Sequence, residues 1–217
     1  MRIGTLGAGP MAQALATQWA RAGHEVYVGA RDGKKAAALA GRIGGAAGAG
    51  SLREAAAFGE AVLLAVPYTA VEDALTAAGA REGELGGRTL IDCTNPLDDK
   101  GAPIGIEGGR PSAAAHIAEI ARGARVVKAF NLCTPAVWSL TPPVFQDGPL
   151  AVPLCGDDAT ALETVRALVR DMGCEPMDVG GLDHAGSQEA ALAFLAGLWF
   201  RGIEPRTALA PVDRLFG

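Results

Sequence analysis

Proton donors are scarce in this 217-residue chain. Its lysines are Lys34, Lys35, Lys100 and Lys128, and its histidines are His24, His116 and His184, so no helix-borne lysine lies beyond position 128. Reducing a carbonyl or imine takes a hydride and a proton, and the proton usually comes from a Lys, His or Tyr within hydrogen-bond reach. His24 sits on a turn into a strand and reads as structural. His116 is expected to face solvent on a helix, and His184, at the start of the final helix, is the one histidine near an expected cleft. No catalytic acid or base is assigned.

Paired cysteines and long apolar runs are lacking too. Cys93, Cys133, Cys155 and Cys174 are widely spaced with no Cys-x-x-Cys, which argues against a disulfide framework or a metal site and for small buried side chains in a reducing compartment. The chain enters a strand at once without a secretory leader, so a cytoplasmic location is expected. The longest apolar stretch, 190–200, falls short of the roughly 20 residues that cross a bilayer. The net charge of −5 argues against a nucleic-acid binder. What remains is a soluble protein, 49% apolar and 20% charged, with room for one full domain and a smaller annex.

The chain is organised around its first thirty residues. Arg2-Ile3-Gly4-Thr5-Leu6 runs into Gly7-Ala8-Gly9-Pro10-Met11-Ala12, then a helix with Met11, Leu15, Trp19 and Ala22 on one stripe, then a second strand from Glu25 to Val28. Strand, glycine turn and immediate helix make a dinucleotide-binding βαβ unit. Gly7 permits the tight turn, Gly9 admits a pyrophosphate, and Ala12 lets helix and strand pack closely. The helix start offers unpaired N–H groups and a positive dipole end, and Pro10 suits its first position. At the end of the second strand, where an NAD site usually holds an acid, stand Gly29-Ala30-Arg31, with Lys34 and Lys35 beyond. A guanidinium can grip a 2′-phosphate that an acid would repel, so the cofactor reads as NADP. The alternative is a solvated helix start with Asp32 as its cap, or with Asp32 turned to serve as the ribose acid.

Further along, Ser51-x-x-Glu54 and Thr69-x-x-Glu72 have capping-box spacing, and each predicts a helix start. Residues 44–50 are a poor third strand or a loop. Ala61 to Val66, closed by Pro67, reads as a central parallel strand, joined by Thr89–Cys93 and Arg125–Phe130. Ligands in such sheets sit beyond the strands' carboxyl ends, where Val66, Pro67, Asn95, Pro96 and Asn131 fall. The connection from Leu97 to Gly109 is long enough for a lid or a surface excursion. The prolines at 142, 143 and 149 mark a boundary. The expected fold is α/β: a Rossmann-type parallel sheet over residues 1–145, and over 146–217 a small C-terminal α/β annex ending in an apolar helix. That helix, 188–200, is apolar on nearly every side and predicts a homodimer contact.

These segments resemble the NADPH-dependent F420 reductase family (F420H2:NADP oxidoreductases), and are similar to the NADPH-binding domains of metalloreductases. The resemblance spans essentially the whole chain. It is carried by Met1-Arg2-Ile3-Gly4, by Gly23-His24-Glu25-Val26 leading to Val28-Gly29-Ala30-Arg31, by Val127-Lys128-Ala129-Phe130-Asn131, and most specifically by Val152-Pro153-Leu154-Cys155-Gly156-Asp157-Asp158. It implies that the backbone of Ala8 to Met11 binds pyrophosphate. It further implies that Ala30, Arg31 and Lys35 hold the 2′-phosphate, and that Val66, Asn95, Pro96 and Ala136 lie along the nicotinamide. Two segments depart from the family: Gly7-Ala8-Gly9-Pro10 is shorter than a glycine-threonine-glycine form, and Asn131 to Pro135 is one residue longer.

The expected activity is hydride transfer between NADP(H) and coenzyme F420, with FMN or FAD as the alternative acceptor. Ring-to-ring transfer requires stacking rather than a protein acid, which suits the shortage of donors. Two other readings stand beside it: an imine reductase, because residues 3–12 also resemble pyrroline-5-carboxylate reductase, and a non-catalytic NADP-sensing module.

Overall fold

The computed structural model describes residues 1–45, 47–145 and 148–204, without the side chain of Phe145. In chain order the elements begin with β1 (Arg2–Leu6), α1 (Pro10–Arg21), β2 (Glu25–Gly29), α2 (Gly33–Ile43), β3 (Gly48–Gly50), α3 (Leu52–Phe58) and β4 (Ala61–Leu64). They continue with α4 (Val71–Ala77), β5 (Thr89–Asp92), α5 (Ala113–Ile120), β6 (Arg125–Lys128) and α6 (Pro135–Trp138). A small hairpin, β7 (Val144–Phe145) and β8 (Gly148–Pro149), precedes β9 (Ala151–Gly156), α7 (Ala159–Asp171), β10 (Glu175–Gly180) and α8 (Ala185–Trp199). The expected Rossmann-type fold is present, and its annex is the strand–helix–strand unit β9–α7–β10 closed by α8. Residues 146, 147 and 205–217, part of the expected second domain, lie outside the described residues, as does Ala46.

The main sheet has eight strands in the order β10-β9-β6-β5-β4-β1-β2-β3. Six run parallel in the spatial order 3-2-1-4-5-6. β9 then joins β6 antiparallel and β10 joins β9 parallel, so the annex prolongs the sheet. The chain leaves β1 towards β2 on one side and returns through β4 on the other. That reversal opens a crevice beyond the carboxyl ends of β1 and β4.

Both faces are covered, and the side-chain alternation of the strands divides the core. Ile3, Leu63, Ile91 and Val127 meet α1, α2 and α7 through Leu15, Trp19, Leu39 and Leu168, while Leu6, Val62, Leu90 and Val126 meet Leu52, Leu75 and Ile117 on the opposite face. Gly4 is where α3 lies closest to the sheet: a Cβ there would fall 2.0 Å from the Ala55 carbonyl oxygen. At the end of β6, Phe130 adopts φ +63° and packs edge-on against Trp19 (5.8 Å) and Trp138 (5.4 Å). A left-handed aromatic residue is costly and persists only when its neighbours over-determine it. Here the Trp138 indole N–H donates to the Phe130 carbonyl.

Several expectations need correction. The Thr69 box does not form: a short helical turn, Tyr68–Ala70, precedes α4, no side chain caps it, and the acid the box would use, Glu72, pairs with Arg81 instead. Residues 48–50 do form a strand, on β2. β4 stops at Leu64, before Pro67. Ala22 is the exposed C-cap of α1 rather than part of its buried stripe. The 97–109 connection is tied down by Asp98, whose carboxylate accepts from the Lys100 and Ala102 N–H groups, and by a Leu97–Pro103 bridge. No helix among the described residues is long and apolar enough to cross a membrane.

The Ser51 capping box is complete, with Ser51 Oγ accepting from the Glu54 N–H and the Glu54 carboxylate accepting from the Ser51 N–H at 2.7 Å. Ser51→Ala removes the side-chain half of it and should cost about 1 kcal/mol. Thermal unfolding should show a loss of roughly 2–4 °C in Tm; an unchanged Tm would mean the box does not hold α3.

Candidate active site

The crevice at the strand reversal is a cavity of ≈ 330 Å³. Gly7, Ala8 and Gly9 reach it from β1, Ala30, Arg31 and Lys35 from β2 and α2, and Val66 and Pro67 from the end of β4. Gly7 has φ +123°, and a Cβ there would strike the Ala65 carbonyl oxygen at 2.3 Å, so only glycine makes the turn. At Gly9 a Cβ would meet nothing within 4 Å; the space before α1 is open. Gly9 is the N-cap, no side chain caps the helix, and no acid stands in its first turn. The first N–H groups of α1 thus face that space as anion donors.

The basic rim has the properties a 2′-phosphate needs. Asp32 Oδ1 accepts from the N–H groups of Lys34 (2.9 Å) and Lys35 (3.4 Å), which makes Asp32 the N-cap of α2. One oxygen of its carboxylate is therefore engaged by the helix, while the exposed residue also lines the cavity. Arg31 is largely exposed, and its one ion pair among the described residues is with Asp73 at 3.9 Å, a surface contact worth little. A dianion entering the crevice could draw it inward at small cost. These residues fit an NADP cofactor.

A second cavity, ≈ 520 Å³, begins on the other side of the α1 start. Its floor is Met11, Cys93, Asn95 and Asn131, and its walls are Cys133 to Pro135 and, from α8, Leu192, Ala196 and Trp199 with Phe200 beyond. Cys133 and Cys93 are the titratable groups in this lining. Burial raises both thiols, Cys93 to about 12. No group among the described lining residues is poised to deliver a proton near neutral pH.

Three amides fix the polar part of that floor. Asn131 donates to Asn95 Oδ1 at 2.9 Å, Asn95 donates back to the Asn131 carbonyl at 3.0 Å, and Gln188 donates to Asn131 Oδ1. Beneath them lies a fully buried charge cluster. Lys128 Nζ stands 2.9 Å from Asp92 Oδ2, 2.6 Å from Glu189 Oε1 and 2.6 Å from the Thr94 carbonyl. Glu189 also accepts from the N–H groups of Ala113 and Ala114 at the start of α5, so the helix end shares its negative charge. Burial works against the ammonium, but the charges of Asp92 and Glu189 outweigh it and raise the Lys128 pKa.

Of the residues singled out from sequence, Gly7, Ala8, Gly9, Ala30, Arg31, Lys35, Val66 and Pro67 meet in the first cavity, and Met11 and Asn95 in the second. Pro10 is the exposed first residue of α1, Pro96 is buried with its carbonyl accepting from Ile104, and Ala136 is exposed on α6; these three line neither cavity. His24 bridges the N-terminal amine and Asp171, a structural role. His184 is exposed beside Asp183 and lines neither cavity. His116 does not face solvent as expected: it is 6% exposed and hydrogen-bonded to the Tyr68 hydroxyl, because α5 turns that side towards α4. Sequence reasoning missed the Asp92–Lys128–Glu189 cluster. Its signal was a charge closing each of two apolar strands and a Gln-Glu pair opening an apolar helix.

The family described as NADP oxidoreductase, coenzyme F420-dependent, matches residues 2–96. The chain is 32% identical to the F420-dependent NADP reductase of Methanothermobacter thermautotrophicus, over 93% of this chain and 90% of that protein. It is 31% identical to the rat metalloreductase STEAP3 over 91% of its own length, but spans only 38% of that protein. A crystal structure of a proposed F420-dependent NADP reductase from Arthrobacter sp. FB24 superposes with TM-score 0.80 at 28% identity, covering 93% of this chain and 95% of the other.

Lys128→Met leaves two buried carboxylates without a counter-ion, and urea unfolding should show a loss of about 3–5 kcal/mol. In the native protein the raised Lys128 pKa contributes stability that is fully present below the ordinary value of 10.5 and is lost as pH rises from there through the higher folded value. A wild-type stability profile that stays flat through this alkaline range would contradict the assignment.

Proposed function

Since this chain belongs to the F420-dependent NADP reductase family, and is therefore an NADPH-dependent oxidoreductase, we propose that it passes a hydride between NADP(H) and the deazaflavin coenzyme F420. The observation that carries this reading is the second cavity: roomy, mostly apolar, floored by amides and free of a proton donor among the described lining residues. When bound, the reduced nicotinamide supplies the hydride; the chain's part is to hold two flat rings with reacting carbons about 3–3.5 Å apart and to limit water. The accompanying proton, taken up at a ring heteroatom, comes from solvent and needs no protein acid.

In this reading the residues Gly7 to Met11 cradle the pyrophosphate: Ala8, Gly9 and Met11 offer backbone N–H groups, Gly7, whose own N–H is donated to the Gly29 carbonyl, makes the turn, and Pro10, which has no N–H, opens α1 and its dipole. Ala30, Arg31 and Lys35 receive the 2′-phosphate. Val66, Pro67 and Asn95 flank the nicotinamide half, with Pro96 acting from behind Asn95, while Ala136, exposed on α6 outside both cavities, takes no part in it. The acceptor ring lies between Met11 and the α8 wall, its polar edge on Asn95 and Asn131. α8 buries Leu192 and Ala196 but leaves Phe194, Trp199 and Phe200 exposed, and a homodimer contact there would cover them.

Steady-state oxidation of NADPH with F420, FMN, FAD and a cyclic imine as acceptors tests the assignment. Turnover with F420 well above the other three is expected; turnover with the imine alone, or with none of the four, would contradict it. Arg31→Glu should weaken NADPH binding about 10–100-fold through the lost charge-assisted bonds while NADH binding changes little. Equal losses for both coenzymes would show that Arg31 does not read the 2′-phosphate.

A further inference from the structure

Away from both cavities, α4, α5 and the connection after β5 bring three ligand-type side chains together. Glu72 on α4, Glu107 at the end of the 97–109 connection and His116 on α5 each offer an atom to one point, all within 4.8 Å of one another. None of the three lines the nucleotide or acceptor cavity. His116 is 6% exposed, and the buried Tyr68 hydroxyl engages its Nδ1 at 2.9 Å. Its other ring nitrogen carries no hydrogen bond among the described residues, yet His116 walls two cavities of ≈ 460 and ≈ 340 Å³, each of which also contains Glu72 and Glu107. Of the three arginines that line the larger cavity, two are committed, Arg110 to Glu119 and to the Glu107 backbone carbonyl and Arg81 to Glu72, and the third, Arg122, is a cation that a metal ion there has to tolerate. The Glu107 carboxylate has no ion-pair partner among the described residues.

We propose that Glu72, Glu107 and His116 form a binding site for a divalent transition-metal ion of the zinc type. One imidazole and two carboxylates suit zinc and its neighbours, whereas magnesium and calcium prefer oxygen ligands alone. Ligands about 2.1 Å from a tetrahedral ion stand about 3.4 Å apart, so the longest separation in the set closes by up to about 1.4 Å, which exposed carboxylates can supply. The Tyr68 hydroxyl on Nδ1 supplies the outer partner that fixes a metal-bound imidazole. Water completes the coordination. Arg81 must release Glu72, so binding is weaker than at a closed four-ligand site. Once bound, the ion ties the 97–109 connection to α4 and α5.

The test is calorimetric titration of the chelator-treated full-length protein with Zn²⁺, paralleled by the visible absorption of Co²⁺. One saturable equivalent is expected, with affinity at least tenfold lower in Glu107→Gln and the Co²⁺ bands lost in the same variant. Glu107 is exposed, so this substitution spares the fold. No saturable binding, or binding that Glu107→Gln leaves unchanged, would overturn the proposal. So would binding removed by His184→Ala instead, which would place the ion at the exposed Asp183–His184 pair.

Discussion

One buried ammonium group sets the geometry of the catalytic half of this protein. Lys128 closes β6, Asp92 closes the neighbouring strand β5, and the register places them side by side. Glu189 joins from the second turn of α8 and carries the α5 helix start with it. Two strands and two helices are thereby fixed at one point, and the residues that follow each of them, Cys93 and Asn95, Asn131, and the adjoining Gln188, form or brace the floor of the second cavity. A buried ion cluster is a poor way to gain stability, because well-packed apolar groups of the same shape often do as well or better. What it adds here is position: α8 cannot shift without uncovering a charge.

The other half rests on topology. The reversal of strand order between β1 and β4 leaves a crevice that no side chain fills, and the start of α1 divides it into two environments. On the β2 side, backbone N–H groups and the Arg31–Lys35 rim form an anion site, with the nearby acid, Asp32, occupied in capping α2. On the β5 side the surface turns apolar, with Met11, Leu192 and Trp199 facing amides that are already bonded to one another. A charged dinucleotide end and a flat ring thus find different chemistry along the same edge of the sheet. The left-handed turn at Phe130, braced by Trp19 and Trp138, delivers Asn131 to that second environment.

What could be read from the sequence was what local chemistry determines. The glycine turn, the strands flanking it and the Ser51 box each depend on neighbours a few residues away, and the structure keeps all three, with Arg31 and Lys35 in the cavity beside the turn. Asp32 could be read as cap or ribose acid, and the structure shows it capping α2 through one oxygen at the edge of the cavity. The Thr69 box misled because Glu72 has a stronger partner in Arg81, nine residues on, and His116 misled because its burial depends on Tyr68, forty-eight residues away. Lys128 looked like one residue in a strand; its meaning lies in Asp92 and Glu189, which only the folded sheet brings to it. The annex was readable as α/β with an apolar last helix, but not that β9 would join β6 antiparallel and so continue one sheet.

The central claim is that the hydride passes directly from the nicotinamide carbon to a carbon of the acceptor ring. Reaction with NADPH deuterated at the transferring C4 position, run in ordinary water with F420 as acceptor and followed by mass spectrometry, tests it most directly. The account predicts that the reduced acceptor retains the full deuterium label at carbon. Reduced acceptor whose new carbon-bound hydrogen comes from solvent would contradict it.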